Sequence, residues 1–410
     1  MVCWLRRAAL GTLAVVPADA SAGDRETSRK RPPLRQLLLP AVVVFSVTVR
    51  IVVIASIAVD LSAERLPEGY VGRFWEISVA SGRPYRDFDV EYPPLSLAAI
   101  ELVGDPDPRV TGVQLLVLAA IADAITWAVL WWRWGSQAGG AYLLAGVLVL
   151  QPLYQTLDIV PVALATVALA LIWKRRDRGG GIVLAAAVLA KIWPAVLVGG
   201  LLAFGKRRAL GWSVATLAAG SILWVAWAGT GAVGQVATQR DTPGWEVGSS
   251  IGAAVWILSG EDIESIKDSP RVGTVPGWAK PVLATATVVG VGLVSLRASR
   301  ARQTGEVGAA SLACVALLLF LSPIYSYPYV IWLLPWLGIA FAEGRARLAF
   351  MALGVLAMTA VMFALLDTTS GPVQVALVLR NALTGAIPVA YWLTADRVRT
   401  STVAPAHAAP

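Results

Sequence analysis

Residues 37–59 read LLLPAVVVFSVTVRIVVIASIAV, and this stretch decides the class of fold. An α-helix needs about 20 predominantly apolar residues to cross the hydrocarbon core of a bilayer, so we expect a membrane crossing here. The residues before it include a basic group, Arg29, Lys30, Arg31 and Arg35. Because basic residues accumulate on the cytoplasmic side of membrane proteins, the N-terminus is predicted to be cytoplasmic.

The composition extends this prediction to the whole chain. Of 410 residues, 57% are hydrophobic and only 15% are charged, which is far more apolar than a soluble domain. The formal net charge is +8, but the basic residues occur in short clusters between apolar runs, as in cytoplasmic loops. We therefore predict a polytopic helical membrane protein in the cell membrane, with the lipid bilayer as a partner and no nucleic-acid partner.

Nine further apolar spans follow along the chain, at residues 110–132, 138–150, 159–173, 210–228, 282–296, 307–321, 329–341, 348–366 and 373–393. If these spans alternate in direction, the basic clusters fall on one side of the membrane. The same alternation predicts that residues 60–91, 151–158, 229–280, 322–328 and 367–372 are extracytoplasmic. The predicted fold is all-α, a transmembrane helical bundle of about 10 to 12 crossings.

Three regions follow from this pattern. Residues 1–36 are predicted to be a disordered cytoplasmic segment, since their apolar run is short for a signal sequence. Residues 37–394 form the predicted transmembrane domain. Residues 395–410 are predicted to be a disordered cytoplasmic tail, which contains the only histidine, His407.

Residues 182–204 do not fit a straight crossing, because basic clusters flank both ends. A bent hairpin resolves this conflict, with Lys191-Ile192-Trp193-Pro194 at its apex and Pro194 breaking the helix. Two other apolar runs, residues 94–103 and 251–258, are too short to cross and are predicted to be re-entrant or interfacial helices at the outer face.

Residues 84–94 read PYRDFDVEYPP, an acidic loop between apolar segments. In an extended run, Asp89 and Glu91 point to one side while Val90 and Tyr92 point to the other. We expect Asp87 to join the acidic side, and the paired prolines to begin the following helix. The alternative is a solvated turn that only connects two helices.

Lys191 and Asp158 each allow two interpretations. Lys191 is predicted to lie at membrane depth, where it needs an anionic partner. It either snorkels to an interface or pairs with a carboxylate on a neighbouring helix, or it binds a phosphate group. Asp158 opens the helix at residues 159–173, where its simplest role is to cap the helix N-terminus.

Aromatic residues recur in two outer segments. Trp245 lies in a loop that also contains Arg240 and Glu246, and residues 325–332 place several aromatics around Pro328. Such residues occur both in interfacial belts and in sugar-stacking surfaces, so both interpretations are kept open.

Other chemistries are disfavoured. A histidine base or a histidine metal site is not expected with His407 in the tail. Asp105-Pro106-Asp107 predicts a turn rather than a metal site, because of its proline. Cys3 and Cys314 cannot build a disulfide framework. Acid–base chemistry therefore has to use Asp, Glu, Lys or Tyr.

Five motifs occur in order along the chain: Pro-Tyr-Arg-Asp-Phe-x-x-Glu-Tyr-Pro-Pro at residues 84–94, Asp158 with Pro161, Lys191-x-Trp-Pro, the loop 240–250, and Ser322-Pro323 leading to Trp332-Leu-Leu-Pro. Over roughly residues 37–394 this order resembles glycosyltransferase family 87, of the glycosyltransferase-C membrane superfamily, which includes polyprenyl-phosphate-mannose-dependent α-mannosyltransferases. The resemblance implies an inverting hexosyltransferase with an extracytoplasmic active site, a lipid-linked sugar donor and no metal or other cofactor.

The resemblance also implies that an acidic residue of the first outer loop is the catalytic base. Many relatives carry Asp-x-x-x-Tyr after the first helix, whereas this chain has Asp60 and then Glu68-Gly69-Tyr70. Asp87 and Glu68 are therefore both predicted as the base. The other predicted substrate-binding residues are Arg86, Asp89, Glu91, Tyr92, Asp158, Lys191, Arg240, Glu246, Tyr325 and Tyr329.

This chemistry suits the residue types. A sugar on a polyprenyl phosphate has a good leaving group, so a carboxylate must deprotonate the acceptor and cations must bind the departing phosphate. Lys191 and Arg240 are the predicted phosphate partners. The acceptor is expected to be a glycolipid or glycan. The alternative function is a non-catalytic carrier or flippase for lipid-linked sugars, although no internal repeat supports it.

Overall fold

A computed structural model describes residues 34–62, 69–238, 243–266, 269–300, 306–365 and 371–394. Contacts divide the chain after Leu38; helix α1 begins before this division, and every other feature below belongs to residues 39–394. The disorder predicted for residues 1–36 and 395–410 falls outside the described residues, except at residues 34–36, which begin α1. About 80% of the described residues are helical and few lie in strands, which supports the all-α prediction.

The first half of the chain contains α1 to α9, with a 3₁₀ turn at Val147–Val149 between α5 and α6. In chain order these helices are Leu34–Ser62, Gly69–Val79, Pro94–Val103, Pro108–Trp134, Ser136–Gly146, Leu150–Gln155, Ile159–Trp173, Asp177–Ala190 and Ala195–Ala203.

The second half contains α10 to α17 and three short strands. The helices are Arg207–Ala228, Gly231–Thr238, Ser250–Ser259, Ala279–Arg300, Val307–Leu321, Leu334–Ala342, Ala346–Leu365 and Gly371–Thr394, and a 3₁₀ helix, Tyr327–Leu333, precedes α15. Strands β1, Trp245–Glu246, β2, Glu264–Ile266, and β3, Ser269–Val272, form an antiparallel sheet in the order β1-β3-β2.

Within the described ranges, six helices are long and apolar enough to cross a membrane. They are Leu39–Leu61 of α1, and α4, α10, α13, α16 and α17. They indicate a membrane protein. The predicted spans at residues 159–173 and 307–321 are helices with the predicted bounds, α7 and α14. At about 1.5 Å per residue each is roughly 22 Å long, which is short for a full crossing.

The predicted break at Lys191 is confirmed. Helix α8 ends at Ala190, Lys191 has extended backbone with φ −157° and ψ 139°, and Pro194 is the N-cap of α9. The predicted short helices at residues 94–103 and 251–258 are also present, as α3 and α12. The short amphipathic helix α2 and the sheet were not predicted from the sequence.

Helices α7, α8 and α10 lie side by side, and α4 and α3 contact this layer. The main apolar core contains Trp193, Tyr329 and Trp332, while a second cluster contains Phe74, Tyr92 and Leu157. The candidate site lies where residues of these two clusters meet.

Candidate functional site

One small pocket brings together residues from distant parts of the chain. Its lining residues are Tyr70, Phe74, Tyr92, Ser96, Thr156, Leu157, Asp158, Lys191 and Tyr329. They come from α2, the acidic loop, α3, the start of α7, the break between α8 and α9, and the 3₁₀ helix at Tyr327–Leu333. We call this the Asp158–Lys191 pocket. Four of the residues predicted to bind substrate line it: Tyr92, Asp158, Lys191 and Tyr329.

Lys191 forms an ion pair with Asp158, through Nζ and Oδ1. Both side chains are mostly buried, with 15% and 7% of their surface exposed. The capping interpretation of Asp158 is wrong, because its side chain accepts no hydrogen bond from the backbone of α7 and faces Lys191 instead. A lysine so far from water requires this anionic partner, as expected for a charge at membrane depth.

Backbone contacts fix both charged residues. The Ser96 hydroxyl donates to the carbonyl of Ala190 at 2.6 Å, which ties α3 to the residue before Lys191. The Thr156 hydroxyl donates to the carbonyl of Pro152 at 2.9 Å and accepts the Asp158 N–H at 3.3 Å. The ion pair is therefore held by ordered backbone on both sides.

Aromatic rings surround the ammonium group. Nζ of Lys191 lies 4.7 Å from the ring centroid of Tyr329 and 5.2 Å from that of Trp332, within the range of cation–π attraction. Tyr329 and Trp332 are buried, so an interfacial belt does not describe them. These rings instead form a wall beside a charged pair, an arrangement suited to a polar ligand with an apolar portion.

Tyr70 completes the pocket on the α2 side. Its hydroxyl lies 3.3 Å from that of Ser326, and its ring meets Tyr327 edge to face at 6.4 Å. Burial raises the pKa of Tyr70, so its hydroxyl stays neutral and can donate a hydrogen bond. No role was assigned to Tyr70 from the sequence, although it belongs to the Glu68-Gly69-Tyr70 stretch.

The acidic loop follows the predicted alternation from Phe88 to Tyr92. Val90 and Tyr92 are buried, Asp89 is exposed and Glu91 is half-buried. Arg73 of α2 binds both carboxylate oxygens of Glu91, at 3.0 and 2.8 Å. Asp89 accepts a hydrogen bond from the side chain of Gln235 at 3.1 Å.

Asp87 does not continue this extended run. Residues 85–87 form a turn between Pro84 and Phe88, with Tyr85 at φ +66°. The Asp87 carboxylate is exposed and accepts the N–H of Arg83 at 2.7 Å. Arg86 donates to the carbonyl of Ala228 at 3.2 Å. Neither Asp87 nor Arg86 lines the Asp158–Lys191 pocket.

A second buried group surrounds Arg380 of α17. Its guanidinium lies 4.1 Å from the ring centroid of Tyr325 and donates to the carbonyl of Gly248. Glu246, in strand β1, is buried and interacts electrostatically with Arg380. Glu246 and Tyr325 therefore lie in this group rather than in the pocket lining. Trp245 is also buried, against the belt interpretation. The predicted residues Glu68 and Arg240 fall outside the described residues.

A third polar group lies inside the bundle and was missed from the sequence. Asp123 of α4 accepts hydrogen bonds from Arg50 at 2.9 Å, Tyr142 at 2.5 Å and Tyr154 at 2.8 Å. Tyr154 belongs to α6, which ends three residues before Asp158. Arg50 and Asp123 are the single charged residues within the apolar spans at residues 37–59 and 110–132. Because a charge inside such a span needs a partner, this pattern could have predicted the polar group.

The described part of the chain has no group of three His, Cys, Asp or Glu side chains that could hold a metal. Asp105 and Asp107 accept the N–H groups of Asp107 and Arg109, respectively, which confirms the predicted turn. The Asp158–Lys191 pocket itself offers a carboxylate, an ammonium group, tyrosine hydroxyls and the hydroxyls of Ser96 and Thr156. In comparisons with known proteins, no family model and no curated protein sequence matches this chain.

Proposed function

We propose that this protein is an integral-membrane glycosyltransferase that moves a hexosyl group, mannosyl in the family it resembles, from a polyprenyl phosphate to an acceptor hydroxyl with inversion. The proposed fold is a glycosyltransferase-C bundle with its site on the extracytoplasmic side. The observation that carries the proposal is that Tyr92, Asp158, Lys191 and Tyr329, predicted from four separate motifs, line one pocket.

The chemistry needs an anion site and a base. The ammonium group of Lys191 binds the phosphate of the donor while the bond between a phosphate oxygen and the anomeric carbon of the sugar breaks. The acceptor oxygen bonds to that carbon from the opposite face, and its proton passes to a carboxylate. The stacked rings of Tyr329 and Trp332 supply an apolar wall for the sugar or the first isoprene units.

Three carboxylates are candidates for the base. Among the described residues, Asp158 is the carboxylate that lines the pocket, so it joins the two predicted bases. Asp87 has its carboxylate in an exposed turn, and Glu68 immediately precedes α2, which carries Tyr70. When the phosphate binds Lys191, Asp158 is released from its ion pair and becomes available to accept a proton.

The direct test is a transfer assay with purified protein in detergent, polyprenyl-phosphate-mannose and a mannoside acceptor. We expect a glycosidic product, and we expect the amide variant of the base, whether Asp158→Asn, Glu68→Gln or Asp87→Asn, to abolish transfer while the protein stays in the membrane. Asp158→Asn also breaks the ion pair with Lys191, so it is assayed at a temperature at which thermal unfolding shows it to be folded. Full activity in all three variants would refute this set of candidates. Arg347→Gln, an exposed change outside the pocket, serves as the control.

A carrier for lipid-linked sugars is the second candidate. The helix break at Lys191, beside the pocket, favours it, because transporters bind substrates at discontinuous helices. The same assay distinguishes the two functions: binding of the donor without any product supports a carrier.

A further inference from the structure

A second, apolar cleft lies at the other end of α7 from the Asp158–Lys191 pocket. Its lining includes Leu169, Trp173, Leu197, Gly200, Phe204 and Cys314. Asp158 precedes the first residue of α7, whereas Leu169 and Trp173 line the cleft from its last turns, about 15 to 22 Å farther along the helix. Several lining residues are only partly buried, and the cleft therefore opens to the surface.

The cleft is elongated along the bundle. Val307, Ala310, Ser311 and Cys314 line it from α14, at the spacing of one helix face. Seven residues of α-helix rise roughly 10 Å, so this face forms an apolar track that leads from the end of α14 toward its middle. Such a face has the polarity of a site for a short stretch of an acyl chain lying in an open groove.

Basic side chains lie over tryptophans at the same end. Nζ of Lys206 is 5.1 Å from the ring centroid of Trp173, which itself lines the cleft. Lys174 follows Trp173 in the chain, and its Nζ lies 5.2 Å from the ring of Trp132. Arg178 lies 4.8 Å from the ring of Trp212 on the adjacent helix α10. Lys206 is therefore held against a residue that lines the cleft, and Lys174 and Arg178 flank the same helix end.

Two acidic groups near the cleft, Glu306 and Glu343, have partners among the described residues. Glu306 binds Arg345, and Glu343 accepts the N–H groups of Gly308 and Ala309 at 2.8 and 3.0 Å. Asp177 is the acidic residue beside Lys174 and Arg178 in the chain. The local charge is thus strongly positive, and an anionic headgroup complements it.

We infer that this cleft binds an anionic membrane phospholipid, with its phosphate at Lys206, in the positive field that Lys174 and Arg178 add at the same helix end, and with part of an acyl chain along the track. The occupant is a bilayer lipid, because the cleft joins an apolar track to a cationic end at a helix terminus. This inference does not depend on the proposed transfer reaction.

The test uses the full chain in mild detergent and measures bound lipid by native mass spectrometry. Phosphatidylglycerol and phosphatidylcholine with identical acyl chains are titrated separately. We expect phosphatidylglycerol to bind at least about tenfold more tightly, since each basic residue near a headgroup contributes on the order of a fewfold in affinity. Equal binding of the two lipids would overturn the inference.

Two pairs of variants locate the site. Lys174→Gln with Lys206→Gln should weaken phosphatidylglycerol binding about tenfold or more, whereas Arg83→Gln with Arg347→Gln, which removes two exposed charges elsewhere, should not.

Gly200→Leu fills the cleft, and Gly292→Leu is its match outside the cleft; a Cβ at either position meets no atom within 4 Å. Only Gly200→Leu should lower binding. The assigned site would be contradicted if the lysine double variant lost no more binding than its arginine control and Gly200→Leu no more than Gly292→Leu. If Gly200→Leu does not fold, the comparison of the two double variants decides.

Discussion

The indole of Trp332 donates its Nε1–H to Oδ1 of Asp158 at 2.7 Å, the same carboxylate oxygen that Lys191 binds. Trp332 also stacks with Tyr329 at 4.4 Å and with Trp193 at 5.2 Å between ring centroids. The aromatic wall and the charged pair are therefore one connected unit, since the central ring of the stack fixes the carboxylate.

Trp332→Phe should lower transfer activity about 10- to 100-fold, because a hydrogen bond to a charged group contributes on the order of 1.5–3 kcal/mol. The stack would remain largely in place. Trp193→Phe is the matched control: it also shortens a buried tryptophan, but the Nε1 of Trp193 has no hydrogen-bond partner among the described residues. Steady-state transfer rates of both variants check this prediction. Equal losses would mean that packing, and not the bond to Asp158, is what matters.

Removing one member of the Lys191–Asp158 pair should strongly destabilise the protein. Lys191→Met leaves a mostly buried carboxylate without its cation, a change that costs about 3–5 kcal/mol. The double variant Asp158→Asn with Lys191→Met should recover much of this stability, since no unpaired charge remains, yet it should not bind the donor.

Thermal unfolding in detergent measures the stability of the single and double variants, and a donor-binding assay measures their function. A double variant no more stable than Lys191→Met alone would show that the pair is not coupled as the geometry requires.

Much of the helical architecture follows from the sequence, because apolar runs bounded by polar residues define helix ends. Residues 159–173 and 307–321 illustrate this, with Asp158 and Lys174 flanking the first and Glu306 and Ser322 the second. Helix α2 was missed because it has no long apolar run. Its stability depends on tertiary contacts, including the burial of Phe74.

Side-chain partners were harder to predict. Glu91 has Arg86 close by in the sequence, yet the turn at Tyr85 carries Arg86 to the carbonyl of Ala228, and Arg73 from a separate helix takes its place. From the sequence, the position of Asp158 at a helix start predicts a capping role. In the structure, the helix break at Lys191 instead places an ammonium group beside the Asp158 carboxylate. In each case a contact distant in sequence replaced a local one.

Gly146→Ala should lower the melting temperature, by an amount equivalent to about 1–3 kcal/mol. A Cβ at Gly146 would lie 2.4 Å from the nearest guanidinium nitrogen of Arg50. That group cannot easily move, because Asp123 and the carbonyl of Leu143 hold it at 2.9 Å each. Gly211→Ala, in a helix where a Cβ meets nothing within 4 Å, should leave stability unchanged or raise it. A Gly146→Ala protein as stable as Gly211→Ala would contradict this packing argument.

Glu343 should make stability depend on pH. Burial raises the pKa of Glu343 to about 8, although the N–H groups of Gly308 and Ala309 act to lower it. The folded protein therefore keeps this proton at pH values where the unfolded chain has lost it. Its contribution is fully present below about pH 4.5 and is lost as pH rises through about 8.

Melting temperatures of the wild type and Glu343→Gln between pH 5 and 9 test this sign. The amide cannot ionise, so the wild type should lose stability relative to the variant as the pH rises. A difference that stays constant, or that changes in the opposite direction, would mean that Glu343 is ionised in the folded protein.

The central claim is that the Asp158–Lys191 pocket receives the phosphate of a lipid-linked sugar. An electron cryo-microscopy structure of the protein with bound polyprenyl-phosphate-mannose tests it most directly. We predict a phosphate oxygen within hydrogen-bonding distance of Lys191 Nζ, with the sugar beside Tyr329 and Asp158. A donor bound elsewhere, with the Lys191–Asp158 ion pair intact, would contradict the claim.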